Sequence, residues 1–189
     1  MKRLTAFFIC TVLVLTLCAC REDKDGSGQS HTVDVEYYAK IGQIPEHKYH
    51  LGSDAKEMQS AFDAEDDKNS EESEDGHTHS VYSIIEDDGY TVLSYEGANY
   101  CYKEDGKISA VVSLDSAYDF QLGDLISEIK SALSKFECEE KAGNAEDIFF
   151  LPNPTGYTCL EYKFGANKVL FVFYENALCA TALINPEYF

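Results

Sequence analysis

Apolar residues recur at helical spacing in Leu125, Ile126, Ile129, Ala132, Leu133 and Phe136, at positions i, i+1, i+4, i+7, i+8 and i+11. That stripe predicts an amphipathic helix, with Gly123-Asp124 at its positive end. A second helix is predicted through Met58, Ala61 and Phe62, with Ser53 or Asp54 as its cap. After each helix the pattern shortens to strand-like runs. Residues 90–96, 99–103 and 107–114 follow the first helix; 157–164, 167–174 and 177–184 follow the second. Glu104-Asp105-Gly106 and Glu175-Asn176 stand between the second and third runs as hairpin turns, so each trio reads as an antiparallel meander.

The blocks recur in order. Tyr49-His50-Leu51-Gly52 matches Phe120-Gln121-Leu122-Gly123, and Tyr90–Tyr95 matches Tyr157–Tyr162. Gly97-Ala98-Asn99 matches Gly165-Ala166-Asn167, and Ile108–Val112 matches Leu178–Ala182, with offsets of 67 to 71 residues. The expected fold class is therefore α+β: a tandem repeat of one helix plus a three-stranded antiparallel meander, with the helices packed on one face of the sheet. Strict alternation places Leu93, Tyr95, Ile108, Ala110, Val112, Leu160, Tyr162, Phe164, Leu178, Ala180 and Ala182 on the helix side. Tyr90, Val92, Ser94, Ser109, Val111, Cys159, Glu161, Lys163, Cys179 and Thr181 then fall on the other side. Residues 169–174, VLFVFY, are apolar in both phases, which predicts a central strand covered twice. Residues 32–44 are the expected cover of the second face.

The unit in which LGDLISEIKSAL feeds a meander, the first meander ending in GKISAVVSL, resembles repeats in small lipoproteins of clostridia-type bacteria, most of them without assigned function. The layout is also similar to the β-lactamase inhibitory protein and, for one unit, to SmpA-type outer-membrane assembly lipoproteins. The resemblance covers residues 48 to 184, lies in pattern, and carries over no functional residue.

The N-terminus gives an address. Lys2 and Arg3 precede an apolar run from Leu4 to Leu17, shorter than the roughly 20 residues of a spanning helix. Leu17-Cys18-Ala19-Cys20 resembles the bacterial lipobox, which implies cleavage after Ala19 and a diacylglyceryl thioether on Cys20. The expected divisions are a signal peptide at 1–19, a tether at 20–31, an N-terminal unit at 32–119 and a C-terminal unit at 120–189. The expected location is the extracytoplasmic face of the cell membrane, held by lipid. Loss of Lys2 and Arg3 takes the formal charge from −19 to −21, which argues against nucleic acid as a partner. Much of the acid lies in Asp63–Asp75, within a segment, 63–80, that reads as a disordered loop. Four cysteines follow Cys20: Cys101, Cys138, Cys159 and Cys179. Export permits disulfides, and all three pairings stay open by count. Strand order speaks against Cys159 with Cys179, whose strands are separated by a third.

Catalytic patterns are absent from the sequence. All five histidines precede the first meander, and neither a GxSxG elbow nor a glycine-rich phosphate loop is present. His77-x-His79 beside Glu71, Glu72, Glu74 and Asp75 has the ligand types of a zinc site. The leading expectation is a non-enzymatic binding module without cofactor, touching a protein partner through Tyr90, Val92, Val111, Glu161, Lys163 and Thr181. The alternative is a metal-binding lipoprotein using His77 and His79; an envelope hydrolase comes third.

Overall fold

The computed structural model describes residues 33–72, 82–87, 89–103, 106–144 and 155–188. Among the described residues three α-helices accompany the strands: α1 (Val35–Lys40), α2 (Ala55–Glu72) and α3 (Ile126–Ala132). The strands are β1 (Tyr82–Asp87), β2 (Tyr90–Tyr95), β3 (Ala98–Tyr102), β4 (Ile108–Ser113), β5 (Cys138–Asn144), β6 (Thr155–Phe164), β7 (Asn167–Tyr174) and β8 (Ala177–Ile184). They form one antiparallel sheet in the order β1-β2-β3-β4-β8-β7-β6-β5. This overturns the expected tandem of helix plus three-stranded meander. Each half contributes four strands to a single continuous sheet, and the helices are few, two of them only six and seven residues long. The sequence pattern misses β1 and β5. β5, CEEKAGN, is an edge strand whose charges give it no β signature, and β1 directly follows the acidic segment.

Local chemistry explains the helix starts. Asp54 Oδ1 accepts from the backbone N–H of Lys56 at 2.9 Å and Glu57 at 3.3 Å. Those two N–H groups, with Lys107 nearby, hold the Asp54 carboxyl below its usual range. At α3 the Glu128 carboxylate accepts from the Leu125 N–H at 2.8 Å, while Asp124 accepts from the Gln121 N–H. Helix α2 runs on to Glu72, through the first part of the segment read as disordered loop. The segment from Asp63 to Glu72 contains no glycine or proline, and Ala64, Glu65, Lys68, Glu71 and Glu72 are strong helix formers.

One large core lies between the sheet and the helices. Val35, Ala39 and Ile44 from the α1 region, Ala55, Met58 and Phe62 from α2, and Ile129 and Leu133 from the α3 region meet Leu93, Tyr100, Leu160, Phe171 and Phe173 there. Residues 33–44 thus join the helix side, not the second face as expected. Asn167 Nδ2 fixes them by donating to Ala39 O at 2.8 Å. β7 serves both faces: Val169, Phe171 and Phe173 enter this core, while Leu170 and Val172 join a second cluster with Val92, Cys101, Ala110, Val112, Cys159, Ala180, Ala182 and Ile184.

Of three register shifts in the sheet, two set which residues of β4 and β8 face which way. Tyr102 pairs with Ile108 and Cys101 with Ala110, leaving Ser109 as the extra residue in β4. Phe173 pairs with Leu178 and Val172 with Ala180, leaving Cys179 extra in β8. Ser109 Oγ donates to Cys101 O at 3.1 Å, and Cys179 Sγ contacts Val172 O at 3.2 Å. Each bulge shifts the alternation by one residue. Ala110, Val112, Ala180 and Ala182 therefore lie on the second face, and Val111 and Leu183 on the helix side, opposite to strict alternation.

Candidate functional site

The hairpin between β2 and β3 turns at Glu96 and Gly97, both with positive φ, and pairs Thr91 with Tyr102. That register brings Tyr90 opposite Lys103, one position beyond the last pair. Lys103 Nζ lies over the Tyr90 ring, 4.6 Å from its centroid, a cation–π contact. Beside it opens a cleft of about 590 Å³. Lys56 and Gln59 of α2 form one wall, and Ile84 and Glu86 of β1 form another. Tyr90, Thr91, Tyr102 and Lys103 also line it. Burial, with the Glu86 carboxylate nearby, raises the Tyr102 hydroxyl above its ordinary pKa, so it stays a neutral donor. The lining thus carries two aromatic residues, two lysines, a carboxylate, an amide and three hydroxyls, that of Tyr102 staying protonated.

A second concentration of charge sits on the other face. Glu161 on β6 is 4% exposed, yet three lysines converge on it. Lys141 Nζ lies 2.8 Å from Oε2, and Lys168 and Lys163 lie 3.2 and 3.7 Å from Oε1. Glu139 adds a second carboxylate, 3.7 Å from Lys141 and 3.9 Å from Lys163. Burial pushes the Glu161 carboxyl up, but hydrogen bonds and charge from Lys141 and Lys168 outweigh it and leave it below its usual value. Strand pairing builds the cluster: Glu139 opposes Glu161, Lys141 opposes Cys159, and Lys163 opposes Lys168.

The predicted contact surface does not assemble. Tyr90 lines the cleft, and Val92 is buried in the second cluster. Val111, fully buried, belongs to the helix-side core, and Thr181 is buried beside Phe171 and Ser113 on that side. The bulges at Ser109 and Cys179 move both of them there. Glu161 and Lys163 do share the second face, with Lys163 exposed. Cys20, His77 and His79 lie outside the described residues. Among the described residues no group of three or more His, Cys, Asp or Glu side chains is placed to hold a metal ion. No described helix is long and apolar enough to cross a membrane. Cys101, Cys138, Cys159 and Cys179 are not joined to one another. β7 separates Cys159 from Cys179, and burial pushes the Cys101 thiol up to about 12.

Sequence reasoning missed Lys56, Gln59, Ile84, Glu86, Tyr102 and Lys103. The Tyr90–Lys103 pair was within reach, because the Glu96-Gly97 turn fixes that register. Ile84 and Glu86 were not, because β1 went unread.

No family model matches this chain, and no curated protein matches it. Among solved structures it is similar to YjgB, a DUF4309 family protein from Bacillus subtilis, at 15% identity and a TM-score of 0.46, over 79% of this chain and 92% of that one.

Proposed function

We propose that this chain is an extracytoplasmic lipoprotein, anchored through Cys20, that works as a non-enzymatic binding module with the Tyr90–Lys103 cleft as its ligand site. The observation that carries the binding reading is the cleft's lining, with donors, acceptors and ring faces on three neighbouring strands and one helix. Antiparallel strands hold such a lining with little ordering cost on binding. The lipobox-like Leu17-Cys18-Ala19-Cys20 supports the address.

Each half has its own test. Metabolic labelling with palmitate should mark the chain, and Cys20→Ala should abolish the label and release the protein from the membrane fraction. Label retained in Cys20→Ala would refute the anchor. For the cleft, a peptide or glycan array screened against the full chain should give hits that weaken about tenfold in Tyr90→Ala and Lys103→Ala, the loss of one charge-assisted or ring contact each. Hits unaffected by both substitutions would move the site elsewhere.

A further inference from the structure

The segment that carries α1 is fastened to a single turn. Residues 33–47 comprise α1 and the loop after it. Between β4 and α3, Ala117 and Phe120 exchange two backbone hydrogen bonds, at 2.9 and 3.0 Å, around Tyr118 and Asp119. Both central residues have positive φ, 57° and 66°. Asn-Gly is the usual pair in such a turn, and a bulky tyrosine there is an outlier that the surroundings must hold.

Residues 33–47 supply those surroundings. The Tyr118 ring is fully buried, and its hydroxyl donates to Gln43 O at 2.9 Å. The Asp119 N–H donates to Glu46 Oε1 at 3.2 Å, and the Asp119 carboxylate accepts from the Val33 N–H at 3.0 Å. The turn thus grips the segment at its start and twice near its end. Val35, Ala39 and Ile44 seat it on the core, and Asn167 Nδ2 and the Leu51 N–H donate to Ala39 O and Gly42 O. α1 itself is six residues long, well below the roughly 12–15 that a helix needs to persist unaided, so the segment's order comes from these contacts.

One group in the segment answers to pH. His47 Nε2 is buried and finds no hydrogen-bond partner among the described residues. Glu46 on its own segment and Asp115 on the loop after β4 are the charges that reach the ring, and both favour its protonated form. Burial outweighs them and lowers the pKa from the ordinary 6.5. Once the segment lets go, the ring is hydrated and takes a proton at its ordinary value. Neutral His47 therefore favours the fastened state in full above about pH 6.5, and that contribution is lost as pH falls from there toward the lower fastened value.

We propose that residues 33–47 are an acid-released strap, fastened at neutral pH to the Tyr118-Asp119 turn and let go when His47 is protonated. Release breaks the bonds at Val33, Gln43 and Glu46 together and uncovers the apolar side of β6 and β7 on which α1 rests. On the reading that anchors the chain at Cys20, the fifteen freed residues also lengthen the tether by up to about 50 Å. Acid would then let the body stand farther from the bilayer.

The test is amide hydrogen exchange on the full chain between pH 8 and pH 5, with each rate divided by its intrinsic value. Protection in residues 35–47 should fall by up to about tenfold per pH unit below 6.5, the slope of one linked proton, while β3, β4 and β7 keep theirs. His47→Gln, neutral throughout, should remove that slope. Asp115→Asn removes a charge that favours the protonated ring in the fastened state, so it should deepen the loss at pH 5. Tyr118→Phe cuts the bond to Gln43 and should lower protection about fivefold at pH 8 with the slope kept. An unchanged slope in His47→Gln, an unchanged or shallower loss in Asp115→Asn, full protection in Tyr118→Phe, or protection constant across the range would overturn the proposal. So would β3, β4 and β7 losing protection in step with the segment, since that is general unfolding. Cys20→Ala should leave the exchange pattern as it is, so failure of the anchor and failure of the strap are told apart.

Discussion

Phe171→Ala should lower the unfolding free energy by about 3–5 kcal/mol, a large share of the roughly 5–15 kcal/mol a domain holds. Phe171 is fully buried on the strand that serves both faces. Its ring meets Phe120 edge-on at 5.2 Å and Tyr162 edge-on at 5.9 Å. Truncation therefore removes transfer energy and two oriented ring contacts together, and leaves a void bounded by a hydrogen-bonded sheet that cannot readily collapse into it. Phe171→Leu keeps most of the volume and should cost about 1–1.5 kcal/mol. Urea titrations should show the two midpoints separating in that order with equal slopes. A Phe171→Ala midpoint within error of the native chain would mean that this core does not hold the sheet.

The second large effect is an asymmetry in the charged cluster. A buried carboxylate deprived of its cations keeps its desolvation cost and loses what offset it, whereas partly exposed lysines deprived of a carboxylate simply return to water. Lys141→Met with Lys168→Met should therefore cost about 2–3 kcal/mol, toward the low side of a broken buried pair because Lys163 remains within reach. Adding Glu161→Leu should restore most of that loss, because the triple variant buries an apolar side chain beside Leu170. Acidification tests the same group. The folded Glu161 carboxyl titrates below its unfolded value of 4.5, so the unfolded chain takes up the proton first. Its contribution is complete above about pH 4.5 and is lost as pH falls through the lower folded value. Glu161→Gln should flatten that acid limb; an unchanged limb would show that the lysines do not hold the charge.

Particular residues show what was legible in the chain. The alternation of 157–164, 167–174 and 177–184 matches β6, β7 and β8 to within two residues, since apolar runs and Glu175-Asn176, both with positive φ, carry strong local signals. The paired faces were not legible. Ser109 and Cys179 look like ordinary strand positions, and only the long-range register marks them as extra residues. That single-residue shift took Val111 and Thr181 out of the expected contact surface and put Ala110 and Ala182 into the second cluster. β5 was hidden because an edge strand is selected to look unlike a strand. The cleft fell in the remaining gap: the neighbours of Tyr90 on β1 and α2 come together only in three dimensions.

The joint between β4 and β8 has a mechanical consequence. Four residue pairs, from Ala110–Ile184 to Ser113–Thr181, hold the two halves of the ladder together, against five to eight pairs at each of the other joints. Under tension applied across the sheet this seam is the natural fracture line. At high concentration it is also the place where one molecule's C-terminal half could trade partners with another's, giving an exchanged dimer without any new interface.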